Sequence, residues 1–594
     1  MKTVINFVEY NNDIYRASID KGFSDVQARI IASNIDNVNE IDMLTDIKLG
    51  NLPAPTIIPG LDRGADIVID HINRGSTIAL VTDYDADGSN SMAVLYKALV
   101  NIFGYDKNKI VPIINERING NGIGIKLLNV ILNKHLEKKI DLIITADHGS
   151  ANGPSIAKLK ENGIDVVVTD HHTVPTENSA VNADAFVNPH ITSNNVYKHL
   201  SGCAVAFMLI TEVRTRLFDR GLIKDLKREE YLSLFSYVAV STIGDSVNLA
   251  DYSNRTLTKI GLNYINTSKD NIWSAVRISL NTSKKFVESD VGFKIVPAIN
   301  AASRMGNSEM ALKFLLADSF DDSLYGFNEL MSLNTKRRQL QNDLLVVAEA
   351  YYKANKYVGA CIVYLEKGGL GINGILSSQL GNKYNVPAVV FVDNGDGTIS
   401  GSGRAILEDF DMIRAFRQMD KVDDSIFVRS SNGQKLYGGH KGAAGCTIYK
   451  DKLPEFGWEF THVVTDQLGI DGANKRSLNI LKELNHAEIT MSLIDEVYDI
   501  GPYGMGFKAP LFVSTFTVLT VVYNGVNNSN LTVTLQMDND NSKIMGFMYN
   551  ISGKVDRKQL SPMRRVRVVF FPTYENRRGK LTMKLEITAI DVVL

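Results

Sequence analysis

The stretch that decides the fold is TIALVTDYDADGSNSMAVLYKALVNIF (77–103), in which an apolar run leads through an acidic cluster into a helical pattern. A short apolar run without alternation is typical of a strand that is covered on both faces. Residues 89–103 have the spacing of an amphipathic helix, and Ser89 or Asn90 is the predicted N-cap. A strand that turns directly into a helix predicts the first half of a βαβ unit.

Three further β-type runs follow along the chain. They are DLIITA (141–146), IDVVVT (164–169) and ADAFVN (183–188). Strands that alternate with helical stretches usually pair in parallel, within one sheet whose two faces are covered by helices. The sequence therefore predicts an α/β domain with a parallel sheet between about residues 75 and 190.

Acidic and imidazole residues stand directly after three of these strands, in DYDADG (83–88), DHGS (147–150) and DHH (170–172). One Asp-Gly pair alone is usually a turn, and one His-His pair is usually a surface feature, but three such clusters at successive strand ends argue against coincidence. Ligands bind at the carboxyl ends of the strands in open α/β sheets, so we expect the clusters to converge. Divalent cations would relieve their repulsion, and oxygen ligands with one or two imidazoles suit Mn²⁺ or Mg²⁺.

The rest of the chain divides into three parts. Residues 323–354 read as one long connecting helix, and a second α/β region follows, with strands near 358–365 and 387–392 around a helix at 375–384. Five β-type runs fill residues 511–594, and several of them alternate apolar with polar residues. Five strands in so short a span predict a small antiparallel barrel of the OB type.

Composition limits the class of protein. The chain has 594 residues, 44% hydrophobic and 22% charged, with a net charge of −2, which predicts two to four globular domains. No apolar run approaches the length of a membrane span, and the polar N-terminus predicts a cytoplasmic protein. Cys203, Cys361 and Cys446 form no CxxC pair, so the sequence indicates neither a disulfide framework nor a thiolate zinc site.

The order of the motifs resembles the DHH phosphoesterase family. DYDADG, ADHG and TDHH are similar to its first three motifs, and YVAVSTIGD (237–245) is similar to its fourth. Later segments resemble the RecJ type of single-strand exonuclease within that family. These are PAINAASRMG (297–306), GINGILSSQL (371–380), GSGRA (401–405), GGHKGAAG (438–445) and DIGPYGMGFKAPLF (499–512).

The resemblance implies a domain order for the whole chain. Residues 1–45 form a segment of unclear role, 46–320 the DHH catalytic domain and 321–355 the connecting helix. Residues 356–470 form a DHH-associated, substrate-binding domain, and 490–594 an OB-like domain that binds nucleic acid.

The resemblance also implies which residues bind metal. Two ions, Mn²⁺ or Mg²⁺, would be held by five residues, with Asp147 bridging: Asp85, Asp87, Asp147, His171 and Asp245. Asp83 and His172 are expected in or just outside this group of ligands. The chain departs from the family at His148, where the RecJ type usually carries asparagine, and at Val81, where many DHH enzymes have a metal-binding histidine.

Substrate contacts are implied on two sides of a cleft. Arg117, in INERINGNGIG (114–124), would face a 5′-phosphate. Arg304, Arg404 and His440 would stabilise the charge of the transition state, and Ser402 would join them in contacting phosphates. GINGILSSQL departs from a more aromatic family segment, which weakens the carry-over there.

A basic stretch in the C-terminal region suggests a track for a single strand. Residues 564–580 hold six basic residues and one acidic residue, interleaved with Phe570, Phe571 and Tyr574. Bases stack on exposed aromatic rings while phosphates pair with basic side chains. The alternative is a solvated strand face that covers core phenylalanines.

Together these features predict a metal-dependent 5′→3′ exonuclease on single-stranded DNA, and the resemblance supplies the polarity and the DNA preference. Such an enzyme is expected to work beside a single-strand-binding protein or a helicase and without a membrane. Two alternatives stay open. One is a DHH phosphodiesterase that acts on short oligonucleotides or cyclic dinucleotides, and the other is a non-catalytic replication scaffold.

Overall fold

The computed structural model describes residues 3–282, 284–429, 433, 435–469, 476–525, 528–538, 540–551, 555, 557, 560–577 and 580–592. The chain forms two compact units, each built from separate stretches of sequence. The N-terminal unit contains Tyr10–Thr335 and Tyr498–Ala509, and the C-terminal unit contains Met1–Glu9, Lys336–Val497 and Pro510–Leu594. Among the described helices, none combines the length and the apolar composition needed to cross a bilayer.

The strands, in chain order, are β1 (Thr3–Phe7), β2 (Ile78–Thr82), β3 (Ile110–Ile114), β4 (Leu142–Ala146), β5 (Asp165–Thr169), β6 (Ala185–Val187), β7 (Cys361–Leu365), β8 (Ala388–Asp393), β9 (Thr398–Arg404), β10 (Tyr437–Gly439), β11 (Ala443–Tyr449), β12 (Arg476–Ile480), β13 (Lys482–Glu483), β14 (Phe512–Asn524), β15 (Asn530–Gln536), β16 (Lys543–Met548), β17 (Arg565–Arg577) and β18 (Lys580–Val592). The α-helices are α1 (Asn12–Asp20), α2 (Asp25–Ala32), α3 (Glu40–Thr45), α4 (Leu61–Arg74), α5 (Ala86–Lys97), α6 (Ile125–Lys138), α7 (Gly153–Glu161), α8 (Gly202–Asp219), α9 (Arg228–Gly244), α10 (Tyr252–Thr267), α11 (Asn271–Ser279), α12 (Glu288–Asp290), α13 (Val296–Arg304), α14 (Glu309–Leu315), α15 (Phe320–Ala354), α16 (Asn373–Tyr384), α17 (Met412–Val422), α18 (Leu453–Leu468) and α19 (Met491–Ile500).

A five-stranded parallel sheet forms the core of the N-terminal unit, in the order β3-β2-β4-β5-β6. Its central strands β2 and β4 are buried along their whole length, because helices pack on both faces. The parallel sheet and its four predicted strands are confirmed. The sequence did not reveal β3, whose Pro112 is exposed; a proline fits there because an edge strand leaves one row of amides unpaired.

The helix after β2 begins earlier than predicted. Its N-cap is Asp85, whose carboxylate accepts hydrogen bonds from the amides of Asp87 (2.9 Å) and Gly88 (3.2 Å). The prediction of Ser89 or Asn90 as the cap is therefore wrong, since both are buried inside the first turns of α5. A carboxylate satisfies the orphan amides and the helix dipole together, which favours the earlier start.

Segment Tyr498–Ala509 belongs to the N-terminal unit although it lies far along the chain. Arg255, on α10, is fully buried and donates to the backbone carbonyls of Ile500, Gly501 (3.1 Å) and Pro502 (3.1 Å). Its guanidinium also lies 4.2 Å from the centroid of the Phe507 ring. One buried cation thus fastens this distant segment to the unit.

A mixed sheet and a barrel form the C-terminal unit. The sheet has the order β10-β11-β9-β8-β7. Helix α15 precedes this sheet in the chain and is one continuous helix of 35 residues. In the barrel, β14, β15, β16, β18 and β17 pair in turn, and β17 pairs back to β14. The predicted long helix, second α/β domain and five-stranded OB-like barrel are confirmed. Strand β1, in the segment of unclear role, pairs in parallel with β12.

A candidate metal centre at the carboxyl edge of the parallel sheet

The acidic loop after β2 places three carboxylates within five residues. Asp83 follows the strand, Asp85 caps α5, and Asp87 lies in its first turn. The turn is tight, since a Cβ added at Gly88 would lie 2.1 Å from the backbone oxygen of Asp83. The chain therefore needs glycine at this position to fold the loop back on itself.

Asp87 is held by the beginning of α8. Its carboxylate accepts from the backbone amides of Gly202 (2.8 Å) and Cys203 (2.8 Å) and from the hydroxyl of Ser241 (2.5 Å). The amides at a helix N-terminus and the helix dipole both favour an anion there. The structure thus fixes the orientation of Asp87 inside the protein.

Asp147, at the end of β4, approaches the same helix. It has a φ of 62°, which an L-residue rarely adopts outside a constrained site. A Cβ added at Gly202 would lie 2.7 Å from the Cα of Asp147, so only glycine lets α8 begin so close to this carboxylate. Gly202 and Ser241 were not predicted as parts of the site.

His171 joins the carboxylates through one ring nitrogen. Its Nε2 lies 3.2 Å from an oxygen of Asp147, 3.7 Å from one of Asp245 and 3.8 Å from one of Asp87. Its Nδ1 lies 3.0 Å from the backbone oxygen of Leu200, to which it donates. Because Nδ1 carries the proton, the lone pair of Nε2 points at the carboxylates, as a metal-ligating imidazole requires.

Asp170 holds the DHH segment (170–172) in place through its hydrogen bonds. It accepts from the amides of Ser150 (2.9 Å) and His171 (2.8 Å), and from Nδ1 of His172 at 2.8 Å. Burial acts to raise the pKa of Asp170, but the hydrogen bond and the charge of His172 outweigh it and hold that pKa below its usual range. Burial likewise opposes the charge of His172, yet the bond to Asp170 raises the pKa of His172 to about 9. Asp170 was not among the predicted site residues.

The remaining carboxylates repel one another without a counter-cation. Burial and the charge of Asp85 raise the pKa of Asp83 to about 7, and burial and the charge of Asp87 raise that of Asp245 to about 8. Burial, followed by the charges of Asp87 and Asp85, raises the pKa of Asp147 well above its usual range. One oxygen of Asp83 is buried without a hydrogen-bond partner among the described residues.

These donors fit divalent cations. Two groups could each hold an ion, one formed by Asp87, His171 and Asp245 and one by Asp147, Asp170, His171 and His172. Carboxylate oxygens with one or two imidazoles match the hard, octahedral preferences of Mn²⁺ and Mg²⁺. The predicted residues Asp87, Asp147, His171 and Asp245 are brought together here, with Asp83 and Asp85 on the adjoining loop.

Two arginines lie beside this edge. The guanidinium of Arg117 stacks 4.3 Å from the centroid of the Tyr84 ring, and the hydroxyl of Tyr84 donates to Asn121 at 2.5 Å. The Nε of Arg117 is buried without a partner among the described residues. Arg304 ends α13 and acts electrostatically on Tyr84, while Asn300 on the same helix accepts from the amide of Ala86 at 2.8 Å.

Comparison with known proteins identifies the family. The model of the DHH family N-terminal domain matches residues 77–235, the DHHA1 domain matches 358–466, and the RecJ OB domain matches 482–589. The chain carries the DHH, DHHA1 and RecJ OB domains, and it resembles the RecJ type of DHH-family phosphoesterase. The family predicted from the order of the motifs is confirmed.

Several curated relatives carry one printed name, "Single-stranded-DNA-specific exonuclease RecJ". The chain is 27% identical to that of Haemophilus influenzae over 567 residues, covering 94% of this chain and 92% of the relative. It is 29% identical to that of Escherichia coli over 476 residues, covering 78% and 79%. Among solved structures, RecJ of Thermus thermophilus in complex with Mn²⁺ matches with a TM-score of 0.76 and 24% identity, covering 99% of this chain and 79% of that one, and supports the fold.

Three predicted substrate residues of this DHH-family chain lie in the C-terminal unit. Ser402 and Arg404 share one face of β9, where the guanidinium of Arg404 donates to the Ser402 hydroxyl at 3.1 Å. Gly374 leaves room for that guanidinium, since an added Cβ would lie 2.6 Å from it. His440 is exposed in the turn between β10 and β11, at the same end of the sheet as Arg404.

The barrel of the DHH-family chain supports only part of the predicted basic track. Phe570 is fully buried in the barrel, so its prediction as an exposed stacking ring is wrong. Arg565 pairs with Asp538 at 2.8 Å and Arg567 with Glu483 at 3.1 Å. Arg564 and Lys580 are exposed, while Arg578 lies outside the described residues.

Proposed function

We propose that this chain is a metal-dependent exonuclease that hydrolyses phosphodiester bonds of single-stranded DNA in the 5′→3′ direction. The observation that carries the proposal is the convergence of the carboxylates of Asp87, Asp147 and Asp245 on Nε2 of His171, within 3.2 to 3.8 Å. The raised pKa values of Asp147 and Asp245 mean that this edge of the sheet needs divalent cations to keep these two carboxylates ionised at neutral pH.

The metal ligands of the proposal are Asp85, Asp87, Asp147, His171 and Asp245, with Asp147 shared between two ions and Asp83 beside them. When bound, two divalent ions supply an activated water and a clamp on the nonbridging phosphate oxygens. The α8 amides and Ser241 hold Asp87 in one orientation, and Leu200 holds the ring of His171. No serine or cysteine nucleophile is needed for this chemistry.

His172 and the arginines would act on the substrate directly. His172 is half exposed, and its bond to Asp170 keeps it protonated at neutral pH, so it can donate a hydrogen bond to the reacting phosphate. Arg304 would add positive charge as negative charge develops on the phosphoryl oxygens. Ser402, Arg404 and His440 are donors on the C-terminal unit that would contact phosphates of the strand.

Arg117 supplies the preference for a 5′ end. A terminal phosphate carries more negative charge than a diester, and a guanidinium fork binds it at two oxygens. Stacking on Tyr84 fixes the plane of the guanidinium and leaves Nε without a partner among the described residues. DNA as the substrate is supported by the printed names of the relatives, all described as specific for single-stranded DNA.

The cellular setting follows from the same proposal. We place the enzyme in the cytoplasm, which agrees with three free, buried cysteines. A single-strand-binding protein or a helicase would supply the single strands on which it acts.

One experiment separates the proposed function from its alternatives. Single strands of DNA and RNA, labelled at the 5′ or the 3′ end, are incubated with the purified protein with and without Mn²⁺. We expect release of mononucleotides from the 5′ end of long DNA in Mn²⁺ only. Cleavage confined to very short oligonucleotides or cyclic dinucleotides would favour the other DHH activity, and no cleavage at any length would favour the scaffold.

A further inference from the structure

His148 stands beside Asp147 in the segment that follows β4. Its side chain is 4% exposed, so the ring lies inside the protein. Neither group of potential ligands among the described residues includes it. Its position in the motif suggests a metal ligand, but its contacts do not.

The ring crosses from β4 to the neighbouring strand. Its Nε2 lies 2.9 Å from the backbone oxygen of Val81, on β2. A carbonyl oxygen can only accept, so Nε2 carries the proton and donates. Strand β4 ends at Ala146, and Asp147 leaves strand geometry with its φ of 62°, so the side chain of His148 continues the connection to β2 where the backbone ladder stops.

Both ends of this hydrogen bond lie next to carboxylates of the metal centre. Val81 is two residues before Asp83, and His148 directly follows Asp147. The backbone of His148 is fixed as well, because the hydroxyl of Thr145 donates to its carbonyl at 2.9 Å. The bond therefore sets the separation between the acidic loop after β2 and the carboxylate after β4.

The other ring nitrogen lies outside both groups of potential ligands among the described residues. Nδ1 is buried and has no hydrogen-bond partner among the described residues. With its Nε2 donating to a backbone carbonyl of the neighbouring strand, the buried ring acts as a brace.

We propose that His148 is a positioning residue that braces the ends of β2 and β4 and so sets the metal affinity of the site, without binding metal itself. This inference rests on the proposed metal-dependent function. Residues that orient ligands of a metal, without touching the metal, typically change its affinity by about 10- to 100-fold when substituted.

The test exploits which ring nitrogen donates. Glutamine places its amide nitrogen near the position of the imidazole Nε2, whereas asparagine is too short and leucine fills the space without a donor. We expect H148Q to bind Mn²⁺ within about threefold of the wild type, and H148N and H148L to bind it about tenfold or more weakly. Binding is measured without substrate, from the electron paramagnetic resonance signal of free Mn²⁺, with circular dichroism to check the fold.

His486 provides a matched control. Its Nε2 donates to the backbone oxygen of Thr515 at 2.8 Å, in the C-terminal unit. H486N should lose a bond of the same kind and leave Mn²⁺ affinity unchanged.

Each other result decides against the brace. Equal affinity in H148N and the wild type would overturn it, and H148L matching H148Q would show that only packing matters. H148Q as weak as H148N would mean that the ring binds metal. A wild-type protein that binds no Mn²⁺ would contradict the proposed function itself, a result distinct from equal binding by all variants.

Discussion

The carboxyl edge of the parallel sheet and the Arg404 end of the second sheet are built on opposite principles. At the first, Asp87 and Asp147 are buried, and each is fixed by backbone geometry or by the beginning of α8. At the second, the side chains of Ser402 and Arg404 are partly exposed, and His440 lies in an exposed turn. The first region brings carboxylates of like charge together in a mostly buried site. The second region presents hydrogen-bond donors to solvent.

We interpret the carboxyl edge of the parallel sheet as the region that supports the chemistry and the Arg404 end of the second sheet as the region that binds the substrate. Clustered carboxylates lower the stability of the folded state until a cation binds, so the packing of the surrounding elements must hold them in place. Donors that meet a flexible polyanion need reach and exposure, and glycine around them lets a backbone approach. We therefore expect substitutions at the first region to change catalysis steeply and substitutions at phosphate-binding residues to change affinity or preference by smaller factors.

The largest effect is expected for Asp147→Asn. Loss of a shared ligand removes several kcal/mol of water activation and charge stabilisation, and about 4 kcal/mol corresponds to a thousandfold in rate. Cleavage should fall at least about a thousandfold in saturating Mn²⁺. Thermal stability without metal should not fall, because asparagine replaces a carboxyl whose ionisation is disfavoured by burial and by the charges of Asp87 and Asp85. Asp141→Asn, at the other end of β4, is the control and should keep most of the activity. A rate for Asp147→Asn within tenfold of the wild type would exclude the proposed site.

Removal of metal should make stability depend on pH. The folded-state pKa values of Asp83, about 7, and of Asp245, about 8, lie above the ordinary value of 3.8. Their contribution to stability is therefore fully present below the ordinary value of 3.8, declines as pH rises and is lost by about pH 7 to 8. In EDTA, the melting temperature should fall between about pH 5 and 8 more for the wild type than for Asp83→Asn. Mn²⁺ should raise it more at pH 8 than at pH 6, and parallel curves for the two proteins would contradict the raised pKa of Asp83.

A smaller effect is expected for Arg117→Ala. A charge-assisted hydrogen bond is worth about 1.5–3 kcal/mol, so the ratio of rates on 5′-phosphate and 5′-hydroxyl strands should fall at least about tenfold. Arg214 is the matched control, because its guanidinium also stacks on a tyrosine, 4.1 Å from the Tyr231 ring centroid. Arg214→Ala should leave the ratio unchanged. An unchanged ratio in Arg117→Ala would assign that residue to structure.

The smallest effect is expected on the barrel. Arg564 and Lys580 are exposed, and replacing both with alanine should remove up to two phosphate contacts from long strands. Each contact contributes about 0.7 to the slope of log affinity against log salt for a single strand, so the slope should flatten by up to about 1.4. Lys543→Ala, on β16, is the control. Equal slopes for the double variant and the wild type would show that Arg564 and Lys580 do not bind the phosphates of a single strand.

Four strands of the parallel sheet, the family and the clusters of acidic residues and histidines at the strand ends could be predicted from the sequence because they depend on local patterns. Apolar runs and the residues that follow them predict both the sheet and its functional edge. The partners of those residues were not readable. Gly202 and Ser241 meet Asp87 only because α8 and α9 pack over the sheet, 115 and 154 residues away in the chain.

The error at Phe570 has a local cause. Neighbouring residues in a strand face opposite sides, so Phe570 and Phe571 could not both be exposed on one face. A bulge between Val569 and Phe570 then keeps Val568, Val569 and Phe570 all buried. Irregularities of this kind break the period of two on which the prediction relied.

The buried guanidinium of Arg255 implies an order in which parts of the chain fold during synthesis. Its partner Pro502 lies 247 residues later in the chain. At a synthesis rate of about 5–20 residues per second, the ribosome supplies that partner roughly 12 to 50 s after Arg255 has been made. Until then Arg255 can donate to the carbonyl of Leu249 but lacks its acceptors at Ile500, Gly501 and Pro502. We expect the N-terminal unit to complete its packing only when the nascent chain has passed Ala509. A translation pause or a stop codon before that point should yield an N-terminal unit that is incompletely packed and dependent on chaperones.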